Sequence, residues 1–327
     1  MIPVKVSDCW KLQLHIYVLG YYPEGECILI VLYDKVAQES LKSILVDCYE
    51  SNGQNKMGAI FQKYGLDKRK LDYVIWTHPD RDHSVGFSKI VSQYSSEKTL
   101  YLLPDGLTFR EVFTDWEKIK SWASIAWNKT IGKKNVERVN ASNHRRSPIA
   151  YDSVFFDGIN DDVAFSIEIL TPFANQTFGH LEFDKTHKGN HMSISFVLRL
   201  GDLGFYFGGD TENMAITKID INMLRGLFFV KIPHHGSDTS DKLPDILTKI
   251  DVDNKKDILA VTTGYHIGQS NLPMSSVLDK YKNCSWKILK TEDDYHSQQY
   301  GIWGCVLDRT SKSLWNLNKV GDAEEYY

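Results

Sequence analysis

Cysteine is scarce in this chain, and it is spaced wrongly for metal or disulfide chemistry. The five residues Cys9, Cys27, Cys48, Cys284 and Cys305 include no Cys-x-x-Cys pair, which argues against a zinc ribbon and against a disulfide framework. Several lie in apolar runs, where a thiol behaves as a small core residue and a reducing compartment suits it. Long apolar runs are missing as well. The longest, Cys27 to Tyr33, falls far short of the roughly 20 residues a helix needs to cross a bilayer. Nor is there an excess of one charge: 38 Lys and Arg stand against 42 Asp and Glu, a net charge of −4. A dedicated nucleic-acid binder usually carries a strong basic excess, so none is demanded here, although local basic patches are not excluded. No short-period repeat or low-complexity segment is present. The opening Met1-Ile2-Pro3-Val4-Lys5 has no signal-peptide pattern, and the expectation is a cytoplasmic protein.

What is present is a chain of 327 residues, 42% hydrophobic, which is enough for a sizeable core. Leu12, Leu14, Ile16 and Val18 alternate with the period of a strand. Short apolar runs at 27–33 and 43–46 predict two more, with Gly25 in the turn before the second strand. A helix is expected at about 54–64, with Met57, Ile60, Phe61 and Tyr64 on one face. Residues 71–76 read as a strand, Val85 to Tyr94 as a helix and 99–103 as a strand. The stretch 107–127 reads as a long amphipathic helix rich in Trp and Phe. About 105–150 is then an insertion of helix and polar loop. Strands at 153–156, 163–170, 192–200, 203–208, 227–232, 258–262, 286–290, 302–307 and 313–317 follow, with helices at 211–219 and after Pro273. The acidic tail Asp322–Tyr327 reads as loose. Two strand-rich halves with helices between them imply two packed sheets with helices outside, in one domain spanning 1–327.

Four segments carry chemistry, and each lies where a strand begins or ends. The first is Thr77-His78-Pro79-Asp80-Arg81-Asp82-His83. Imidazole and carboxylate both bind divalent first-row metals, and a loop at a strand's carboxyl end can aim four such groups at one point. A polar turn capping a helix would carry similar residues. In Phe207-Gly208-Gly209-Asp210-Thr211, glycines let a metal or phosphate approach the backbone. Asp210 is placed to bridge two metals about 3.5–4 Å apart, unless it serves as an ordinary helix cap. In Lys231-Ile232-Pro233-His234-His235-Gly236-Ser237, adjacent histidines point different ways, so one is the ligand and the other is free to contact a phosphate oxygen or leaving group. Ser237 offers a hydroxyl there. Finally, in Gly189-Asn190-His191-Met192-Ser193, His191 or Asn190 is a further ligand candidate, with His187 a weaker one.

These motifs, in this order, resemble those of metallo-β-lactamase-fold hydrolases, and within them the soluble, nuclease-like domain of the ComEC type found with competence DNA-uptake channels. Residues 77–83 are similar to the family's His-x-His-x-Asp-His loop, with Asp80 in the second His position. The similarity continues through Asn190 to Ser193, Gly208-Gly209-Asp210 and Pro233 to Ser237. It reaches, more weakly, residues 258–265, Asn271-Leu272-Pro273 and Thr291 to Asp294. The family's early Gly-x-Gly-Asp turn is Pro23-Glu24-Gly25-Glu26 here, and its late histidine has only His266 nearby. There is no membrane channel, so DNA uptake is not implied.

The resemblance implies an α/β, four-layer αββα sandwich with a helical insertion, and two divalent metal ions, zinc or manganese. His78, Asp80 and His191 would hold one ion and Asp82, His83 and His235 the other, with Asp210 between them. A hydroxide held between the metals would attack the substrate, with Asp82 orienting it and His234 assisting the leaving group. Ser237, Asn190 and His266 would contact substrate. Asp80 hardens the donor set toward manganese. The expected activity is that of a phosphodiesterase or nuclease on DNA or a small nucleotide, with His144, Arg145 and Arg146 as possible phosphate contacts and the insertion's tryptophans as stacking surfaces. One alternative is hydrolysis of another ester, such as a phosphorylcholine ester gripped by aromatic rings. Lactones and β-lactams fit less well, because their hydrolases keep the histidine that Asp80 replaces. Another is a binding or effector subunit docking a protein partner through the 107–127 helix.

Overall fold

A computed structural model describes residues 12–105, 135–141, 150–154, 163–173, 188–250, 258–293, 295, 297–308 and 315–327. Strand β1 (Leu12–Tyr21) sets the pattern of the first sheet. Leu12, Leu14, Ile16 and Val18 face one core, while Tyr17, Leu19 and Tyr21 face another. In β2 (Glu26–Asp34) the same alternation sends Ile28, Ile30 and Leu32 one way and Cys27, Leu29 and Val31 the other. Both faces of these strands are covered, so their sequences read as near-continuous apolar runs.

The first sheet continues through β3 (Glu39–Val46), β4 (Tyr73–Ile75), β5 (Leu100–Pro104) and β6 (Val136–Val139). The second is assembled from β7 (Ala150–Val154), β8 (Val163–Thr171), β9 (Ser195–Leu200), β10 (Leu203–Phe207), β11 (Leu227–Lys231), β12 (Leu259–Thr262) and β13 (Lys287–Lys290). The chain then returns to the first sheet with β14 (Tyr300–Leu307) and β15 (Trp315–Gly321), and ends in the second with β16 (Glu324–Tyr326). The orders are β15-β14-β1-β2-β3-β4-β5-β6 and β16-β13-β12-β11-β10-β9-β8-β7. Each sheet contains a run of four parallel strands, β3 to β6 in one and β10 to β13 in the other.

Between the sheets lies a core in which Phe196 stacks on Phe207 at 5.0 Å and Phe207 meets Phe229 at 5.4 Å. Trp315 crosses from the other sheet to within 6.1 Å of Phe229. Burying each such ring contributes about 1.5–3 kcal/mol. Outside the first sheet pack α1 (Gly58–Lys63), α2 (Leu66–Arg69) and, beyond the short α3 (Arg81–Ser84), α4 (Phe87–Tyr94). Phe87, Ile90, Val91 and Tyr94 form the helical stripe that α4 buries. Past the short α5 (Lys188–His191) and α6 (Asn213–Ile216), α7 (Lys242–Ile250) and α8 (Ser275–Tyr281) cover the second sheet with Leu243, Leu247, Val277, Leu278 and Tyr281. The expected four-layer αββα sandwich is what the structure shows. No helix among the described residues is long and apolar enough to cross a membrane.

Several expectations need correction. Within 105–150, residues Val136–Val139 are not loop but an edge strand, pairing parallel with β5. The tail is not loose: Glu324–Tyr326 pairs antiparallel with β13. The helix expected over 211–219 is one turn, Asn213–Ile216: beyond it the amides of Lys218 and Ile219 bond only three residues back, to Ala215 and Ile216, and Asp220 then caps a separate turn at Ile221. The α7 helix was not anticipated. The 107–127 helix, His144, Arg145, Arg146 and His187 lie outside the described residues.

His15 sits on the outer face of β1 among Tyr17, Tyr33 and Tyr64, bonded to the Tyr64 hydroxyl and to Gln13. Burial, reinforced by Lys63, lowers its pKa from 6.5 to about 4. The unfolded chain therefore binds the extra proton first, so the stabilising effect is complete above pH 6.5 and is lost as pH falls toward 4. Roughly 1 kcal/mol should be gone by about pH 5.5. Urea titrations at about pH 7 and about pH 5.5 should show a smaller acid loss in His15→Phe than in the wild type. Equal losses would mean that His15 titrates normally in the folded protein.

Candidate metal centre

The site forms where the parallel strands of the two sheets end. β4 stops at Ile75, and Trp76 to Pro79 run irregularly into α3. Asp80 is the residue before α3, yet its side chain makes no capping bond. Its Oδ2 is instead 3.6 Å from His78 Nε2. Asp210 follows β10 and caps no helix either. Its amide donates to Ser193 Oγ at 2.8 Å, leaving the carboxylate to the cluster. The room at Gly208 and Gly209 is taken up by protein rather than left to a metal or phosphate: a Cβ at Gly208 would lie 2.6 Å from Pro233 Cβ, and one at Gly209 2.4 Å from Ser193 Oγ. After β11, His234 (φ 47°) and His235 (φ 51°) are both left-handed. That conformation is costly for non-glycine residues and recurs where function demands it.

These turns bring Asp82, His83, Asp210 and His235 together, with one ligand atom of each within 4.8 Å of the others. His235 Nε2 is 3.0 Å from Asp82 Oδ2 and 3.7 Å from Asp210 Oδ1. His83 Nε2 is 3.2 Å from Asp82 Oδ2 and 3.3 Å from Asp210 Oδ1. The other oxygen of Asp210, Oδ2, is 3.6 Å from His78 Nε2 and 3.9 Å from His234 Nε2. Of the histidine pair, His235 is buried in the cluster and His234 lies on the wall of the cleft above. That cleft, about 630 Å³, is lined by Asp80, Asp82, Asn190, Asp210, Glu212, His234, His235, Ser237, Asp238 and Tyr265 among others. Asn190 Nδ2 lies 3.2 Å from Glu212 Oε1 and 3.3 Å from His234 Nε2. His191 Nε2 is 3.8 Å from Glu212 Oε2 and is not part of the four-residue cluster. His266 faces a neighbouring cavity of about 310 Å³, where it lies between Asn271 Oδ1 at 2.6 Å and Glu292 Oε2 at 2.8 Å.

A supporting layer escaped the sequence reading. Asp47 Oδ2 lies 2.8 Å from His83 Nδ1 and accepts from the Thr77 hydroxyl at 2.6 Å. Thr77 Oγ1, its proton committed to Asp47, is 3.0 Å from His78 Nδ1. Both histidines therefore carry hydrogen on Nδ1 and aim Nε2 at the cluster. Asp47, at the end of β3, Glu26, at the start of β2, and Glu212, two residues past Asp210, all line or back the site. A single charged residue at the end of an otherwise buried strand was the available signal for the first two.

The chain's affiliation follows from comparison with known proteins. The profile of the metallo-beta-lactamase superfamily matches residues 36–246. The chain belongs to that superfamily. No curated protein matches it. Among solved structures, a presumed metal-dependent hydrolase from Parabacteroides distasonis is similar at 13% identity, over 83% of this chain and 96% of that one, with a TM-score of 0.35. That likeness is too low to add to the profile match.

The metallo-beta-lactamase superfamily is one of metal-dependent hydrolases, and its fold implies divalent metal ions. The residues fit them. His78 Nε2, His83 Nε2 and Asp210 Oδ1 are buried without a hydrogen-bond partner among the described residues, which a folded protein tolerates poorly unless something else binds there. Burial opposes charge on Asp82 and Asp210, yet the surrounding histidines hold both carboxyls below their ordinary pKa. Burial likewise opposes charge on His83, but Asp82, Asp210 and Asp47 outweigh it and raise its pKa well above normal. The carboxylates draw a proton onto an imidazole where a cation belongs.

His266 yields a separate prediction. Its hydrogen bond to Glu292 raises its pKa above 6.5, against the effect of burial. Stability from this pair is fully present below pH 6.5 and lost as pH rises through the raised value. Glu292→Gln should flatten the decline in unfolding free energy between about pH 6 and about pH 9, relative to wild type. An unchanged slope would rule out the pair as its source.

Proposed function

We propose that the protein is a phosphodiesterase acting through two divalent ions at the His78–His83, Asp210 and His235 cluster. The observation that carries this reading is the two-sided placement of Asp210, with Oδ1 toward His83 and His235 and Oδ2 toward His78. His78, Asp80 and Asp210 would hold one ion, and Asp82, His83, Asp210 and His235 the other. Bound there, the ions would supply Lewis acidity and a nucleophilic water at neutral pH. Asp82, fixed by His83 and His235, orients the attacking water. His234, held by Thr239 Oγ1 at 2.8 Å and beside Asn190, contacts the leaving group from the cleft wall, and Ser237 and Asn190 contact the substrate. A donor set this rich in carboxylate suits phosphoryl chemistry and leans toward manganese over zinc.

The cleft's own charge favours a small phosphodiester over long nucleic acid. Beyond the carboxylates that would hold the ions, Glu212 and Asp238 line it, and among its described lining residues there is no lysine or arginine. Away from the ions a polyanion finds carboxylates and no described basic side chain, whereas a diester with a cationic half, such as a phosphorylcholine ester, meets those carboxylates and the Tyr265 ring.

Protein purified without chelator should contain about two metal ions per chain and cleave bis-para-nitrophenyl phosphate with manganese or zinc. Asp82→Ala and Asp210→Ala should each lower that rate by more than about 100-fold. Parallel assays on para-nitrophenylphosphorylcholine and on single- and double-stranded DNA would rank the substrates. Metal-free, inactive wild type would remove the catalytic reading.

A further inference from the structure

Behind His235, on the side away from the cleft, stands Thr263. Its hydroxyl oxygen is 2.8 Å from His235 Nδ1 and 2.8 Å from Glu26 Oε2. Glu26 opens β2 in the first sheet and Lys231 closes β11 in the second; both are 1% exposed. Lys231 Nζ is 2.8 Å from Glu26 Oε2 and donates to the Ile232 carbonyl at 3.2 Å.

Hydrogen-bond direction in this chain is forced. An ammonium in direct contact keeps Glu26 ionised, and a carboxylate accepts but does not donate. Two bare oxygens 2.8 Å apart would repel, so the single Thr263 proton points to Glu26 Oε2. The Thr263 oxygen can then only accept from its other neighbour, so His235 Nδ1 carries hydrogen. Nε2 lies 3.0 Å from Asp82 Oδ2 and 3.7 Å from Asp210 Oδ1, so once a cation takes the place of the proton in that contact, the lone pair of the neutral imidazole is on Nε2. Glu26 Oε1 is also 3.8 Å from His83 Nδ1, so one carboxylate backs two cluster histidines.

We propose that Glu26 and Lys231 are positioning residues: acting through Thr263, this buried ion pair fixes His235 in the tautomer that presents Nε2 to a metal ion. The inference rests on the metal-centre reading above. The contrasting role, an ion pair that merely ties the sheets together, would leave metal affinity indifferent to the Thr263 hydroxyl.

Thr263→Val removes that hydroxyl and leaves the ion pair whole. Zinc affinity of the full chain, measured by competition with a chromophoric chelator, should weaken by about 10- to 100-fold. Thr263→Ser should restore it to within about threefold of wild type, while apoprotein melting temperature reports folding separately. Tight zinc binding by wild type with Thr263→Val unchanged overturns the relay alone. Thr263→Ser as weak as Thr263→Val also overturns it. Wild type that binds no zinc overturns the metal centre and the relay with it. Nitrogen-15 spectra of zinc-loaded wild type give a check that needs no variant. A proton on His235 Nδ1 supports the assignment, and a proton on Nε2 overturns it.

Discussion

Asp82 and Asp210 keep ionised carboxylates where water barely reaches, and the surroundings are organised to make that tolerable. Moving a lone carboxylate into such a place costs several kcal/mol even after relaxation. Here the charges are layered. Around the two carboxylates stand the Nε2 atoms of His78, His83 and His235. Behind the histidines lie Asp47 and Glu26, and behind Glu26 lies Lys231. Each layer stabilises its neighbour, and the layering leaves Asp210 Oδ1 and the Nε2 atoms of His78 and His83 without hydrogen-bond partners among the described residues. Divalent cations are the chemical species that such a set of inward-facing nitrogens and carboxylate oxygens suits. The same charge layering thus holds the seam together and prepares it for metal.

The sheet topology explains why that seam is where it is. Loops at the carboxyl ends of parallel strands gather over one edge of a sheet, which is where α/β folds place their sites. β4 delivers His78 to His83, and β10 and β11 deliver Asp210 and the histidine pair. Each sheet supplies part of the donor set, so the cluster also depends on how the two sheets are seated against each other. Glu26 and Lys231 span that junction. A pair of this kind, wholly buried, rarely adds net stability over an apolar pair of the same shape.

The first half of the site was legible in the sequence because its residues are local: four donors within six positions, at the end of an apolar strand. Asp210 and the histidine pair were legible for the same reason, each following the end of a strand. The choice between His234 and His235 was not, since spacing says nothing of the left-handed turn that buries one and leaves the other on the wall. Asp47, Thr263, Glu26 and Lys231 were also beyond reach. Their meaning depends on partners as much as 237 positions away, and each alone resembles an ordinary polar residue at a strand end. The fold was legible wherever strands are buried on both faces. It failed at edges, in β6 and β16, where short mixed sequences such as Val-Glu-Arg-Val carry little periodicity. It also failed at the Gly-Gly pair, whose role is set by Pro233 and Ser193 arriving from elsewhere in the chain.

The strained histidine pair shows how chemistry overrides backbone preference. A left-handed residue other than glycine costs of order 1 kcal/mol or more, and two in succession compound that cost. Glycine at either position would relieve it but would delete an imidazole that lines the cleft. The strain persists because other contacts hold the turn: the His234 amide donates to the Gly209 carbonyl at 2.9 Å, and the Ser237 amide to the His234 carbonyl at 2.8 Å. The Ser240 hydroxyl closes the turn on Pro233 and Ser237. The bond to Gly209 ties this turn to the one that carries Asp210. The residue pointed into the cluster and the residue pointed along the cleft are therefore positioned through a turn hydrogen-bonded to the one that carries Asp210. A change that loosens either turn should disturb both sides of Asp210 together.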